Sequence, residues 1–275
     1  MSSSGPRPGS EETFSRYLDA LGLRWEYEPL IGSRRPDFGI ADPNGRLQAV
    51  VEIEDIEGPP GFAYGKLLRL DIYGPVREKI NSARKHFQRA KHLPCMLVLQ
   101  PSTLGVQLLD DAILGAMLGN VMIEVPLGPT GDPVKNGAIR TVFGPGGKML
   151  NPKDRTPQNT TVSAVAVMEL VAGEALRSGC RRKVDEIFAA TGTGDQGSTV
   201  PALESGQALE TSFARKGIDL DARVPRLRLF HNPYARIRWP DGLVGDLDDV
   251  WDVDRDRGVI YMARDGQAPY RGPHA

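Results

Sequence analysis

The sequence predicts an α/β protein with a mixed central sheet flanked by helices, followed by a C-terminal α+β extension. Three observations predict it. Residues 36–54 carry two alternating apolar runs around Asp42-Pro43-Asn44-Gly45, the pattern of an antiparallel hairpin. Residues 76 to about 92 repeat Val76, Ile80, Ala83, Phe87 and Ala90 on one helical face. The continuous apolar run 94–99 then reads as a strand. A strand, loop, helix and strand of this length imply a parallel crossover, so antiparallel and parallel pairs share one sheet.

In chain order, residues 1–10 form a Ser/Gly/Pro-rich leader. Ser10 is placed as an N-cap, with Glu11 and Glu12 in the first helical turn, where the helix dipole favours anions. Phe14, Tyr17, Leu18 and Leu21 follow at helical spacing, and Gly22 supplies the stop. A short strand is expected near 25–31, a Gly/Pro-rich loop over 58–75, a second helix near 106–118 and a strand over 120–127. Residues 11–127 are thus read as the core and 128–275 as an extension, with a linker near 191–206. Within the extension, 128–137 and 144–160 are turn-rich, and 162–176 suits either strand or helix. Strands over 227–239 and 258–263 are expected to flank the acidic stretch 246–256.

Net charge is −1, so no global basic field announces a nucleic-acid partner, and any such field must be local. The two cysteines are too few for a disulfide framework and lack metal-ligand spacing, and Cys95 is expected as a small buried hydrophobe. The leader has no apolar segment, and no run reaches about 18 apolar residues. The expectation is a soluble, cytoplasmic protein without a membrane partner.

The hairpin carries the chemistry. With Asn44 and Gly45 as a two-residue loop, cross-strand partners sum to 89 and Asp37 faces Glu52. A four-residue loop leaves the two diagonal on the same face, and only an odd loop separates them. Glu54 joins them by alternation, while Phe38, Ile40, Leu47, Val51 and Ile53 point to the other face. Opposed carboxylates repel. Their clustering makes physical sense around a hard divalent cation such as Mg²⁺ or Mn²⁺, although a solvent face that is acidic by chance has the same pattern.

Pro36-Asp37 followed by Glu52-Ile53-Glu54 resembles the PD-(D/E)XK, or restriction-endonuclease-like, superfamily over roughly residues 10–127. The resemblance implies a restriction-endonuclease-like core and metal-dependent hydrolysis of phosphodiester bonds in nucleic acid, DNA first. Asp37 and Glu52 would be metal ligands, with Glu54 a further ligand or a general base. Glu11, which lies in the apolar stripe of the first helix, would be an outer ligand. The chain departs from the motif at its last position, where Glu54 stands in place of lysine. Lys79 on the following helix is the nearest substitute. The alternative is a catalytically degenerate module that binds nucleic acid or a protein partner. A homodimer is compatible with either.

Beyond the hairpin, Arg77, Lys79, Arg84, Lys85, Arg89 and Lys91 make the 76–92 helix basic. Of these, Arg77, Arg84 and Lys85 are the expected phosphate contacts, and the resemblance implies a polar active-site residue in the part of this helix that carries Gln88. A solvated helix face has the same composition. The 58–75 loop, with Phe62, Tyr64, Lys66 and Arg69, is long enough to clamp a substrate. His231, Asn232, Tyr234, Arg236, Arg238 and Trp239 offer either a base-stacking surface or strand-end packing. The four histidines form no evident metal-ligand pair.

Overall fold

The computed structural model describes residues 9–57, 73–101, 108–127, 129–130, 132, 140–144, 146–151, 153–154, 156–172, 223–245, 248–254, 258–262 and 270–271. The expected clamp segment 58–72, the 191–206 linker and most of the 128–137 loop lie outside the described residues. The chain divides into two compact units. One comprises Met1–Met168 with Leu227–Ala275, and the other Glu169–Arg226. In the smaller unit Arg226 Nη2 donates to Glu169 Oε2 at 3.0 Å.

The fold is α/β with a mixed sheet. Helix α1 (Ser10–Ala20) precedes β1 (Arg24–Tyr27), β2 (Phe38–Ala41) and β3 (Leu47–Ile56). Then come α2 (Gly74–Phe87), β4 (Cys95–Pro101), α3 (Asp110–Leu118), and β5 (Val121–Glu124) with β6 (Arg140–Phe143). The remaining strands are β7 (Ala164–Ala172), β8 (Arg223–His231), β9 (Asp249–Asp254), β10 (Gly258–Met262) and β11 (Tyr270–Arg271). Among the described residues nine strands join one sheet, in the order β1-β2-β3-β4-β7-β8-β9-β10-β11. The expected crossover is present: β3 and β4 are parallel, with Glu52 opposite Leu97, and α2 lies between them in sequence. β7 then pairs parallel to β4.

Several expectations shift. The strand expected over 120–127 is β5, but among the described residues it pairs with β6 alone, in a separate ribbon, and β7 takes the place beside β4. Residues beyond 127 therefore complete the same sheet as the hairpin. Part of the acidic stretch is itself strand β9, antiparallel to β10. Ser10 is the first helical residue rather than the cap, and its hydroxyl reaches Asp55 Oδ2 at 3.4 Å. The helix stop is as expected. Gly22 has φ +67°, its N–H donates to Asp19 O and Leu23 N–H donates to Leu18 O, a paired closure that needs the left-handed residue.

The sheet is packed on both faces. On one, Phe14, Tyr17 and Leu18 of α1 cover Phe38, Ile40, Ala49 and Val51. Phe38 is the hub, meeting Phe14, Trp25 and Tyr27 edge-on with ring centroids 5.2–5.7 Å apart. On the other, Val76, Ile80, Ala83 and Phe87 of α2 and Ile113 and Met117 of α3 cover Val50, Ile56, Leu97 and Leu99. Buried Asp248 joins the N- and C-terminal ends of this unit. It accepts from Tyr17 Oη at 2.5 Å, Gly245 N at 2.5 Å and Leu227 N at 2.7 Å.

Candidate functional site

The β2–β3 loop is odd after all. Asp42 N donates to Arg46 O and Gly45 N to Asp42 O, each at 2.9 Å, leaving Pro43, Asn44 and Gly45 as a three-residue connection. Gly45 takes φ +82°, as the last residue of such a loop requires. An odd loop alone would have turned Asp37 and Glu52 to opposite faces. A bulge corrects it, because Ala41 faces Leu47 but Ile40 faces Ala49, with Gln48 as the extra residue. From Ile40 onward partners sum to 89. Phe38 faces Val51, so the next position outward pairs Asp37 with Glu52. The bulge also moves Leu47. Expected beside Phe38 and Ile40, it lies against Gly39 instead, where an added Cβ would come within 2.5 Å of its Cδ1.

Glu52 and Glu54 share the α2-facing side of β3 with Val50 and Ile56. Glu52 is only 5% exposed. Its Oε1 touches His86 Nδ1, while Oε2 is buried with no hydrogen-bond partner. Burial pushes the Glu52 carboxyl up to about 9, helped by the charges of Asp37, Glu54 and, least, Glu11, and partly offset by a backbone hydrogen bond from Asp37. The Glu52 carboxyl is therefore shifted toward its protonated form. Asp37 Oδ2 accepts the Ile53 N–H at 2.7 Å, which orients it at the mouth of the hairpin. Glu54 Oε2 accepts from Lys79 Nζ at 2.7 Å, which sets a lysine of α2 beside it.

The other expected residues divide. Glu11 belongs to α1, which packs on the opposite face of the sheet, and its Oε2 accepts from Tyr27 Oη at 2.6 Å. Its charge nevertheless reaches Glu52. Arg77 turns inward: Nη2 donates to Asn120 Oδ1 at 2.6 Å and Gly115 O at 3.2 Å, and the guanidinium lies 4.9 Å from the Tyr73 ring centroid. It is committed to packing α2 against α3 rather than to an outside phosphate. Arg84, Lys85 and Gln88 are exposed. In the other candidate, His231 and Trp239 are each 1% exposed and Asn232 is buried, so these residues pack the strand end. Burial, helped by Arg238, lowers the His231 imidazole to about 4. Cys95 is buried as expected, and burial raises its thiol to about 12.

Two features were missed in the sequence. His86 lies two turns after Lys79 on α2, beside the apolar stripe, but it has no histidine partner and so gave no metal-pair signal. Arg34 and Arg35 directly precede Pro36-Asp37 and line a cleft of about 240 Å³ with Ser33 and His86.

Asp37, Glu52 and Glu54 offer hard oxygen donors suited to Mg²⁺ or Mn²⁺, and the orphaned Glu52 Oε2 is an atom that a cation would satisfy. As placed, no three His, Cys, Asp or Glu side chains among the described residues are grouped to hold an ion. Holding one requires Asp37 and Glu54 to converge on Glu52 Oε2. No helix among the described residues is long and apolar enough to cross a membrane. Compared with protein-family models, curated proteins and solved structures, the chain matches none.

Proposed function

We propose that this protein is a metal-dependent nuclease with a restriction-endonuclease-like core, hydrolysing phosphodiester bonds in nucleic acid, DNA first. The observation that carries the reading is Glu52, a buried carboxylate with one unpartnered oxygen, set among the charges of Asp37, Glu54 and Glu11. A structural carboxylate normally has donors for both oxygens, whereas this one leaves Oε2 without a partner and has three acids nearby. The hairpin followed by a parallel crossover supports the same reading.

Asp37 and Glu52 would hold the ion, with Glu54 as a third donor once freed from Lys79. Bound there, a divalent cation supplies polarisation of the phosphate and a lowered pKa for the attacking water. Lys79, 2.7 Å from Glu54, is the group that can orient that water when Glu54 turns away.

The test is incubation of the full chain with plasmid, single-stranded DNA and RNA, with and without Mg²⁺ or Mn²⁺. Metal-dependent cleavage that disappears in Asp37→Ala is expected. Cleavage that survives Asp37→Ala is contamination. Salt-dependent binding without cleavage in the wild type supports the alternative, a degenerate binding module, which the Glu at the lysine position favours.

A further inference from the structure

We propose that Arg34 and Arg35 form a subsite for one phosphate of a nucleic-acid strand, one imidazole away from the carboxylates. The inference rests on the nuclease reading above and extends it to how the substrate is held. The link between β1 and β2 folds back on itself. Ile31 and Arg34 exchange backbone hydrogen bonds at 2.9 and 3.2 Å around Gly32, which takes φ +64°. The stem of Arg89, in the turn just past α2, lies 3.7 Å from where a Gly32 Cβ would be. This turn and α2 thus flank an open cleft of about 240 Å³ lined by Ser33, Arg34, Arg35 and His86.

Among the described residues the lining is cationic and polar, with no acid in it. Among the described residues no carboxylate pairs with Arg34 or Arg35. Arg35 Nη1 donates to Glu28 O at 3.0 Å, which steadies the side chain and leaves its other N–H groups to a ligand. Arginine forks match phosphate oxygens bidentately, with strength beyond a neutral hydrogen bond. The volume falls below the roughly 300–1,000 Å³ of sites that enclose a whole small molecule. Ser33, Arg34 and Arg35 are exposed, so the cleft suits one phosphate of something that continues outside it.

Position gives the site its meaning. His86 lines the cleft and touches Glu52 through Nδ1. Arg35 is two residues from Asp37, at most about 7 Å along the chain. A strand with one phosphate on the arginines would therefore present a neighbouring phosphate near Asp37 and Glu52. The arginines act in binding and positioning only.

The test measures oligonucleotide binding to the full chain in EDTA, by anisotropy across a salt series, with pyrophosphate as competitor. Arg34→Ala/Arg35→Ala is expected to weaken binding about tenfold or more and to flatten the salt slope by about 1–2. Pyrophosphate should compete with wild type but not with the double variant. Both positions are exposed, and an unchanged melting temperature will show that the variant folds. Arg34→Lys/Arg35→Lys should restore the salt slope but not the full affinity, because it keeps charge without the fork. Unchanged affinity and slope in the alanine variant would overturn the subsite. So would pyrophosphate binding without any affinity for the oligonucleotide. If the double variant loses binding while no preparation cleaves with Mg²⁺ or Mn²⁺, the subsite stands and the nuclease reading fails. If wild type cleaves and the variant's KM is unchanged, the reverse holds.

Discussion

Two carboxylates in this protein are almost equally buried, Glu52 at 5% exposure and Asp248 at 7%, and their surroundings are opposite. Asp248 receives three donors, from Tyr17, Gly245 and Leu227, and both its oxygens are used. Glu52 has His86 and a backbone hydrogen bond from Asp37, one oxygen without a partner, and three other acids close enough to raise its pKa. Burial alone therefore says little about what an acidic residue is for. A carboxylate ringed by donors holds elements together. One ringed by carboxylates costs stability and is accounted for by something that binds it.

The largest difference between the two should appear in activity. Asp37→Asn, beside Glu52, is expected to reduce metal-dependent cleavage about 10³-fold or more, given what single charge-stabilising groups cost elsewhere. Its urea midpoint should stay near wild type. Asp248→Ala should do the opposite, because it strands three donors. A loss of about 3 kcal/mol or more in urea unfolding is expected, with specific activity of the remaining folded protein retained. If Asp248→Ala is neutral, its donors are satisfied in another way and the contrast fails.

The pH dependence is a finer measure. The folded pKa of Glu52, about 9, lies above its ordinary 4.5, so between these values the folded state keeps a proton that the unfolded state releases. The contribution of Glu52 to stability is therefore greatest below about pH 4.5 and declines as pH rises towards 9. Glu52→Gln cannot ionise and escapes that decline. Its melting temperature should exceed wild type by a margin that widens from pH 5 to pH 9, while stabilisation by added Mn²⁺ disappears. A constant or shrinking margin would mean that Glu52 is not held protonated. The smallest effect is expected at Lys79, whose pairing with Glu54 is partly exposed. Lys79→Ala should cost less than about 1 kcal/mol in urea unfolding.

Much of the site was legible along the chain because alternation is a local property. Glu52 and Glu54 share a face in any strand, and Val76, Ile80, Ala83 and Phe87 share a face in any helix. The crossover from β3 to β4 was legible too, since a helix between two apolar runs leaves few ways back to the sheet. The pairing of Asp37 with Glu52 was predicted for an incomplete reason. The loop is odd, and a bulge at Gln48, which has no clear sequence signal, restores the register. Leu47, on the far side of that bulge, was consequently assigned to the wrong face.

By itself, then, the sequence determined the identity of the acidic residues, the face that Glu52 and Glu54 share, and the helix that must pack over it. These depend on periodicities of two and 3.6 residues, which need no distant partner. Only the tertiary structure decided which acids are buried, which have donors, and which cations meet them. His86 reaches Glu52 across 34 positions, and Arg77 is drawn away from the surface by Asn120, 43 positions on. Asp248 finds Tyr17 across 231. Such encounters follow from how the layers stack, and the chain carries no local pattern that records them.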